Sequence, residues 1–234
     1  MDLILASASP RRRELLGRIG VEFIVAPCAS EESSPPGLDP EDAVIHLALE
    51  KAVSVSYMHP ASIVLGADTA VVAGPDGSAV WLGKPSSPIE AEEMLAQLSG
   101  RVHRVVTGVA VVHQSTGEAD GILEARCEAT TSIVEFRCLS DDEITGYVAS
   151  GEPMDKAGAY AIQGGAASFV KRVVGDYYNI VGLGLESVSR LLKGLMHIPF
   201  APPPPPPTLF PILPGGDLRS YRHRGAPEEL LARR

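Results

Sequence analysis

The sequence predicts an α/β protein in which helices pack on a mixed parallel and antiparallel sheet, and three observations carry that reading. Stretches rich in β-branched residues alternate with helical patterns of period three to four, as crossover connections require. Two connections, Gly74-Pro75-Asp76-Gly77 and Gly117 to Gly121, are turn sequences of the hairpin kind, which parallel strands cannot use. Composition changes once along the 234 residues: ten of the 20 prolines fall within Pro199–Arg234, leaving an ordinary proline content for residues 1–198. The expected organisation is therefore a folded body, 1–198, and a proline-rich tail, 199–234, outside it.

Each element has a local reason. Asp2 to Ala6 is a short apolar run that reads as a first strand. Ser9-Pro10 supplies an N-cap and a first helical residue for a helix reaching about Ile19, with Gly20 past its end. Val21 to Val25 returns to β-formers. Asp39 then caps, and Pro40 opens, a helix whose apolar positions Val44, Leu47, Ala48, Ala52 and Val55 recur at three and four. Strands are expected over Ile63–Val72 and Ala79–Leu82. Ser87-Pro88-Ile89-Glu90 and Ser140-Asp141-Asp142-Glu143 are Ser-x-x-Glu capping boxes, opening helices that should close near Gly100 and Gly151. Val102–Val112, Ile122–Phe136 and Phe169–Val174 are the remaining strands. A last helix runs over about Leu185–Leu195, and ordered structure is expected to stop near Ile198.

Charge and composition exclude several function classes. The formal net charge is −9; the tail holds five Arg against one Asp and two Glu, so the body carries −11, unsuited to coating a nucleic-acid backbone. No run approaches the ~18 apolar residues of a membrane span. The apolar Leu3–Ala6 has its arginines after it rather than before it, the reverse of a secretory signal. Cys28, Cys127 and Cys138 are odd in number and widely spaced, as in a reduced cytoplasmic protein. Without a Cys-x-x-Cys, and with scattered histidines, a zinc site is not expected. Neither Gly-x-x-x-x-Gly-Lys-Ser/Thr nor a strand-linked Gly-x-Gly-x-x-Gly occurs, which disfavours P-loop and Rossmann nucleotide sites.

Residues placed at a local energetic cost are more informative. Arg11, Arg12 and Arg13 occupy the first turn of a helix, where the macrodipole disfavours cations by ~0.3–1 kcal/mol each. They either splay into water or form, with the free N–H groups of the helix start, a seat for phosphate oxygens. Lys51 falls on the buried stripe of its helix, so it snorkels past the core or points into a cleft. Lys84, in Gly83-Lys84-Pro85, sits in a loop that suits either a ligand or plain solvent. Asp68 follows the buried run Ile63–Ala67 and precedes further β-formers. A carboxylate there is paired, binds a metal or is catalytic, unless it merely begins a turn. The glycine- and alanine-rich segment Gly151–Gly165 permits close backbone approach to a ligand, and Gln163 brings both a donor and an acceptor for a base edge. Together these point to a nucleotide site with a hard divalent cation.

Leu5-Ala6-Ser7-Ala8-Ser9-Pro10-Arg11-Arg12, Gly66-Ala67-Asp68-Thr69, Gly83-Lys84-Pro85, Leu98-Ser99-Gly100-Arg101, the block Ser150–Tyr160 and Gly175-Asp176-Tyr177-Tyr178-Asn179 together resemble the Maf family of nucleoside triphosphate pyrophosphatases. The ordered match covers about residues 3–195. It implies a fold related to inosine triphosphate pyrophosphatases, a long mixed sheet in two α/β lobes with a central cleft. It also implies hydrolysis of a nucleoside triphosphate to the monophosphate and pyrophosphate, dependent on a divalent metal such as Mg or Mn. By the same resemblance Asp68 is the general base and a metal ligand, and Arg11, Lys51 and Lys84 are phosphate ligands. Glu31 or Glu32, in Ala29-Ser30-Glu31-Glu32, helps hold the cation. Arg11, Thr69 and Gln163 match positions that separate the family's branches, and the Asp-Lys-Ala-Gly-Ala-Tyr block with Ile-Gln is similar to the branch acting on dTTP and UTP. Two residues depart from the pattern, Ala161 and Gly184, where glycine and proline are usual. The expected partner is a nucleoside triphosphate, including modified pyrimidine nucleotides, with neither nucleic acid nor membrane; a homodimer is compatible with the sequence.

A second reading makes the chain a nucleotide-binding regulatory or interaction module acting through its tail. Ala201 to Pro207 would form a polyproline II rod able to dock in an aromatic groove. Nucleotide turnover by residues 1–198 against the full chain separates the two, since the enzyme reading expects no difference.

Overall fold

The computed structural model describes residues 1–28, 37–74, 79–114, 123–198 and 210–213. The strands are β1 (Leu3–Leu5), β2 (Phe23–Val25), β3 (Ile63–Ala73), β4 (Val80–Leu82), β5 (Val102–Gln114), β6 (Leu123–Phe136), β7 (Val170–Val174) and β8 (Ile212–Leu213). They form one hydrogen-bonded sheet in the order β2-β1-β3-β5-β6-β7-β8, with β4 also on β3. β1 pairs parallel with β2 and β3, whereas β3 with β4 and β6 with β7 are antiparallel. The mixed α/β sheet expected from alternating crossovers and hairpins is therefore present.

The chain divides into two units, 1–69 with 107–130 and 182–205, and 70–106 with 131–181 and 206–234. The first holds α1 (Pro10–Gly17), α2 (Pro40–Ser56) and α6 (Leu185–Leu192). Its core gathers Ile4, Ala6, Ala48, Ala52, Val55, Val64, Ala110 and Val112, with Cys28 and Cys127 packed at its margin. Ser9 caps α1 as expected, its side chain accepting from the Arg12 N–H, and Pro40 opens α2. Asp39 precedes α2 without making a side-chain cap bond.

The second unit holds α3 (Pro88–Leu98), α4 (Asp141–Ala149) and α5 (Tyr177–Val181), together with 3₁₀ turns over Glu152–Asp155, Ala157–Ala159 and Gly165–Phe169. Ser140 and Glu143 complete the reciprocal capping box. Ser87 makes only its half, because Glu90 turns its carboxylate to the N–H and hydroxyl of Ser86 instead. Gly100 and Gly151 follow the helix ends at φ 66° and 76°, the left-handed conformation that closes a helix. A buried aromatic cluster of Tyr147, Phe136, Tyr160 and Phe169 forms the centre of this unit, packed edge to face.

One expectation fails here: regular structure does not end at Ile198, and the short helix α5 is an element for which the sequence carried no signal. Ile212 and Leu213 add β8 in parallel to β7, with the Val173 N–H donating to Pro211 O at 3.0 Å, and Phe210 is buried beside Tyr177. The remainder of the tail, the hairpin residues 75–78 and the turn at 115–122 lie outside the described residues. Among the described residues no helix is long and apolar enough to cross a membrane.

Candidate functional site

In the first unit, glycine lets α2 sit directly on the sheet. A Cβ on Gly66 of β3 would lie 2.1 Å from Ala48 O, and one on Gly108 of β5 would lie 2.4 Å from the Val44 carbonyl. Side chains alternate across a strand, so Asp68, two residues beyond Gly66, faces the same way. One helical turn beyond Ala48 and two beyond Val44, Lys51 comes down on it: its Nζ donates to Asp68 Oδ1 at 2.6 Å. Both residues are buried, 6% and 7% exposed. The buried stripe of α2 thus delivers Lys51 to a carboxylate rather than past the core to solvent. Asp68 also lies within β3, with five more strand residues after it, so it neither ends the strand nor begins a turn. The pair compensates two charges that would be expensive to bury singly, and leaves Asp68 Oδ2 as an acceptor.

Thr69 faces the opposite way. Its Oγ1 shares a 3.0 Å hydrogen bond with Thr107 Oγ1 and accepts from Arg12 Nη2 at 3.1 Å. Arg12 further donates to Gly182 O at 2.9 Å and to Ser7 Oγ at 3.3 Å. One of the three cations in the first turn of α1 is therefore held by a carbonyl and hydroxyls of its own unit, which offset the unfavourable dipole. Arg11 is half-buried and Arg13 exposed. The importance of Arg12 was not legible in the arginine triplet, because its partners Thr69 and Gly182 are distant in sequence and nothing local separates it from Arg11.

In the second unit, Lys84 is exposed in the loop after β4. The neighbouring Gly83 O accepts from Gly158 N at 3.0 Å, joining this loop to the 3₁₀ turn at Ala157–Ala159. Gly158 adopts φ 68°, and an added Cβ would stand 2.9 Å from the Val71 side chain, so the close approach expected of this small-residue segment is real. Ala159 takes φ 57°, a left-handed conformation that costs a non-glycine residue about 1 kcal/mol or more. Tyr160 anchors the strained turn through a 2.8 Å hydrogen bond between its hydroxyl and His103 Nε2. Burial holds His103 neutral, lowering its pKa from 6.5 to about 3. Gln163 lies three residues beyond Tyr160 and is exposed.

The structure thus joins Lys51 to Asp68 directly and ties Thr69 to the first turn of α1, while Lys84 and Gln163 belong to the loops of the second unit. Glu31 and Glu32 lie outside the described residues. Among the described residues no three His, Cys, Asp or Glu side chains gather as metal ligands. Asp68 nevertheless offers one carboxylate oxygen, which suits a Mg²⁺-like cation completed mainly by water and substrate phosphates.

Comparison with known proteins agrees with the motifs. The model of the Maf family, described as Maf-like protein, matches residues 2–195. The dTTP/UTP pyrophosphatase of Moorella thermoacetica is 51% identical over 190 residues, covering 81% of this chain and 93% of that protein. The dTTP/UTP pyrophosphatase of Symbiobacterium thermophilum is 50% identical over 191 residues, covering 82% and 92%. A solved nucleoside-triphosphatase / dITP/XTP pyrophosphatase from Mycobacterium abscessus is 17% identical, covering 58% of this chain and 74% of its own, at a TM-score of 0.36. With half of its residues shared across nearly the whole length of such relatives, and with the buried Lys51–Asp68 pair set among the matching motifs, the chain belongs to the Maf family.

Proposed function

We propose that the chain hydrolyses nucleoside triphosphates, dTTP, UTP and modified pyrimidine nucleotides among them, to the monophosphate and pyrophosphate. The buried Lys51–Asp68 pair supports this reading most. The Lys51 ammonium fixes the neighbouring carboxylate in orientation, as a general base requires. Water attacks the α-phosphorus and yields its proton to the Asp68 carboxylate. The bond between the α- and β-phosphates breaks, and the bridging oxygen leaves with pyrophosphate. Arg11, at the N-terminal turn of α1, and Lys84 would neutralise phosphate oxygens. Thr69 and Gln163 would select the nucleobase, since a primary amide can bond O4 and N3–H of thymine or uracil in complementary fashion. A divalent cation held at Asp68 would, when bound, screen the triphosphate charge. The relatives named dTTP/UTP pyrophosphatase favour these pyrimidines over other bases.

The test is pyrophosphate release from dTTP, UTP, CTP, 7-methyl-GTP and 5-methyl-UTP with Mg²⁺ or Mn²⁺. Release from none of them would overturn the proposal. Asp68→Asn should keep nucleotide binding, followed by calorimetry, while turnover falls ~10²–10⁴-fold. Equal loss of both would make Asp68 a structural or metal-retaining residue instead.

A further inference from the structure

Gln163 is exposed and stands at the crown of a short turn closed by the Gly164 N–H donating to Ala161 O at 3.0 Å. Within the turn only Ile162 is buried, and the glycine and alanine around Gln163 would by themselves leave the backbone beside it several conformations of similar energy. Yet both of its flanks are clamped. The Ala161 N–H donates to the Tyr147 hydroxyl at 3.1 Å, and the Gly165 N–H donates to both oxygens of Glu152 at 3.2 Å. The two clamps are joined, because the Tyr147 hydroxyl donates to Glu152 Oε1 at 2.9 Å.

The clamp is built in rather than incidental. Tyr147 lies on the buried side of α4, its ring edge-on to Phe169 at 5.2 Å, so the hydroxyl has a fixed position. Desolvation raises its pKa above the ordinary tyrosine value, which keeps it a proton donor. Glu152 follows Gly151 directly, in the turn that closes α4. Its carboxylate fills the space a side chain at position 164 would need: a Cβ there would lie 1.9 Å from Oε1. A side chain at position 164 would therefore have to displace the Glu152 carboxylate.

We propose that Tyr147 and Glu152 are positioning residues for substrate selection, holding Ala161 and Gly165 so that Gln163 is presented to the nucleobase in one orientation. The inference rests on the reading of Gln163 as a base-contacting residue. A loose turn would pay the ordering entropy at each binding event, whereas a clamped one has it settled on folding. Loss of the clamp therefore raises KM for pyrimidine triphosphates and leaves kcat nearly unchanged.

Tyr147→Phe removes only the hydroxyl and retains the ring on Phe169. It should raise KM for dTTP and UTP about 3- to 10-fold, the scale of one lost hydrogen bond, and lower selectivity over 7-methyl-GTP to match. Glu152→Gln, which keeps Oε1 as an acceptor, should retain most of the selectivity that Glu152→Ala loses, and provides a second probe where a tyrosine variant folds poorly. Gln163→Ala should reproduce the selectivity loss, and Tyr147→Phe/Gln163→Ala should be no less selective than Gln163→Ala alone. A normal KM and selectivity in Tyr147→Phe and Glu152→Ala, with Gln163→Ala impaired, would overturn the clamp while leaving the base reading intact. Additive losses in the double variant would also overturn it. An unaltered selectivity in Gln163→Ala would instead overturn the reading of Gln163, and the clamp's role with it.

Discussion

Replacing Gly66 by alanine should move the Lys51–Asp68 pair without touching either residue. The added Cβ would fall 2.1 Å from Ala48 O and 3.0 Å from Ala52 N, both on the backbone of α2, so no flexible side chain can yield. An ordinary C···O contact is about 3.3 Å, so α2 must retreat by about 1.2 Å at that point. Carried one turn along the helix, the same shift takes the 2.6 Å Nζ···Oδ1 contact to about 3.8 Å, outside hydrogen-bond range. Overpacking of this kind costs about 1–3 kcal/mol, or roughly 2–12 °C in Tm for a chain of this size. Misplacing a reacting group by about 1 Å can lower turnover by up to ~10²-fold. The assay is a thermal melt beside initial rates of pyrophosphate release from dTTP. Gly146→Ala is the control: that glycine is exposed within α4 with nothing within 4 Å of an added Cβ, and alanine there should be neutral or stabilising. If Gly66→Ala melts with the parent and turns over at its rate, the helix does not owe its place to glycine and the geometric argument for Asp68 fails.

Two further outcomes follow from the same geometry. Lys51→Met strands a buried carboxylate and should cost about 3–5 kcal/mol, whereas Lys51→Met/Asp68→Leu should recover much of it although inactive; denaturant unfolding that finds the double variant no more stable than the single would refute the pairing argument. His103 stays neutral in the fold to a pKa of about 3, against 6.5 when solvated, so its contribution is complete above pH 6.5. That contribution fades as pH falls towards 3, by about 1.4 kcal/mol per pH unit, because only the unfolded chain takes up the proton. The wild type should therefore lose stability across that window faster than His103→Gln; parallel pH profiles would show that the ring does not remain neutral.

Much of the fold could be read because its signals are local. Ser9, Ser87 and Ser140 each start a helix with a side chain that satisfies an N–H three residues on, and Gly100 and Gly151 each stop one. Lys51 could be found because a cation on a stripe of Val44, Leu47 and Ala48 conflicts with its own helix. Arg12 could not, since what singles it out is a carbonyl at Gly182 and a hydroxyl at Thr69. Gly66 and Gly108 were equally silent: a glycine within a strand says that something comes close, but not which helix or which residue it then positions. Glu152 and Tyr147 carried no anomaly of hydropathy or charge, and their roles depend on a turn whose conformation no short-range preference sets. The strand β8 was hidden by composition, since two strand residues in a proline-rich tail have no periodicity to detect.

That strand changes what the end of the sheet offers to other molecules. Without Ile212–Leu213, one side of β7 would expose unpaired N–H and C=O groups, a template on which an extended segment of another chain can assemble. With them, the last strand on that side among the described residues is only two residues long and follows Pro211, which has no N–H to donate. A short edge that begins after proline is a poor template for a further strand. Pro211 thus blunts this edge of the sheet, as prolines do where they are found on edge strands.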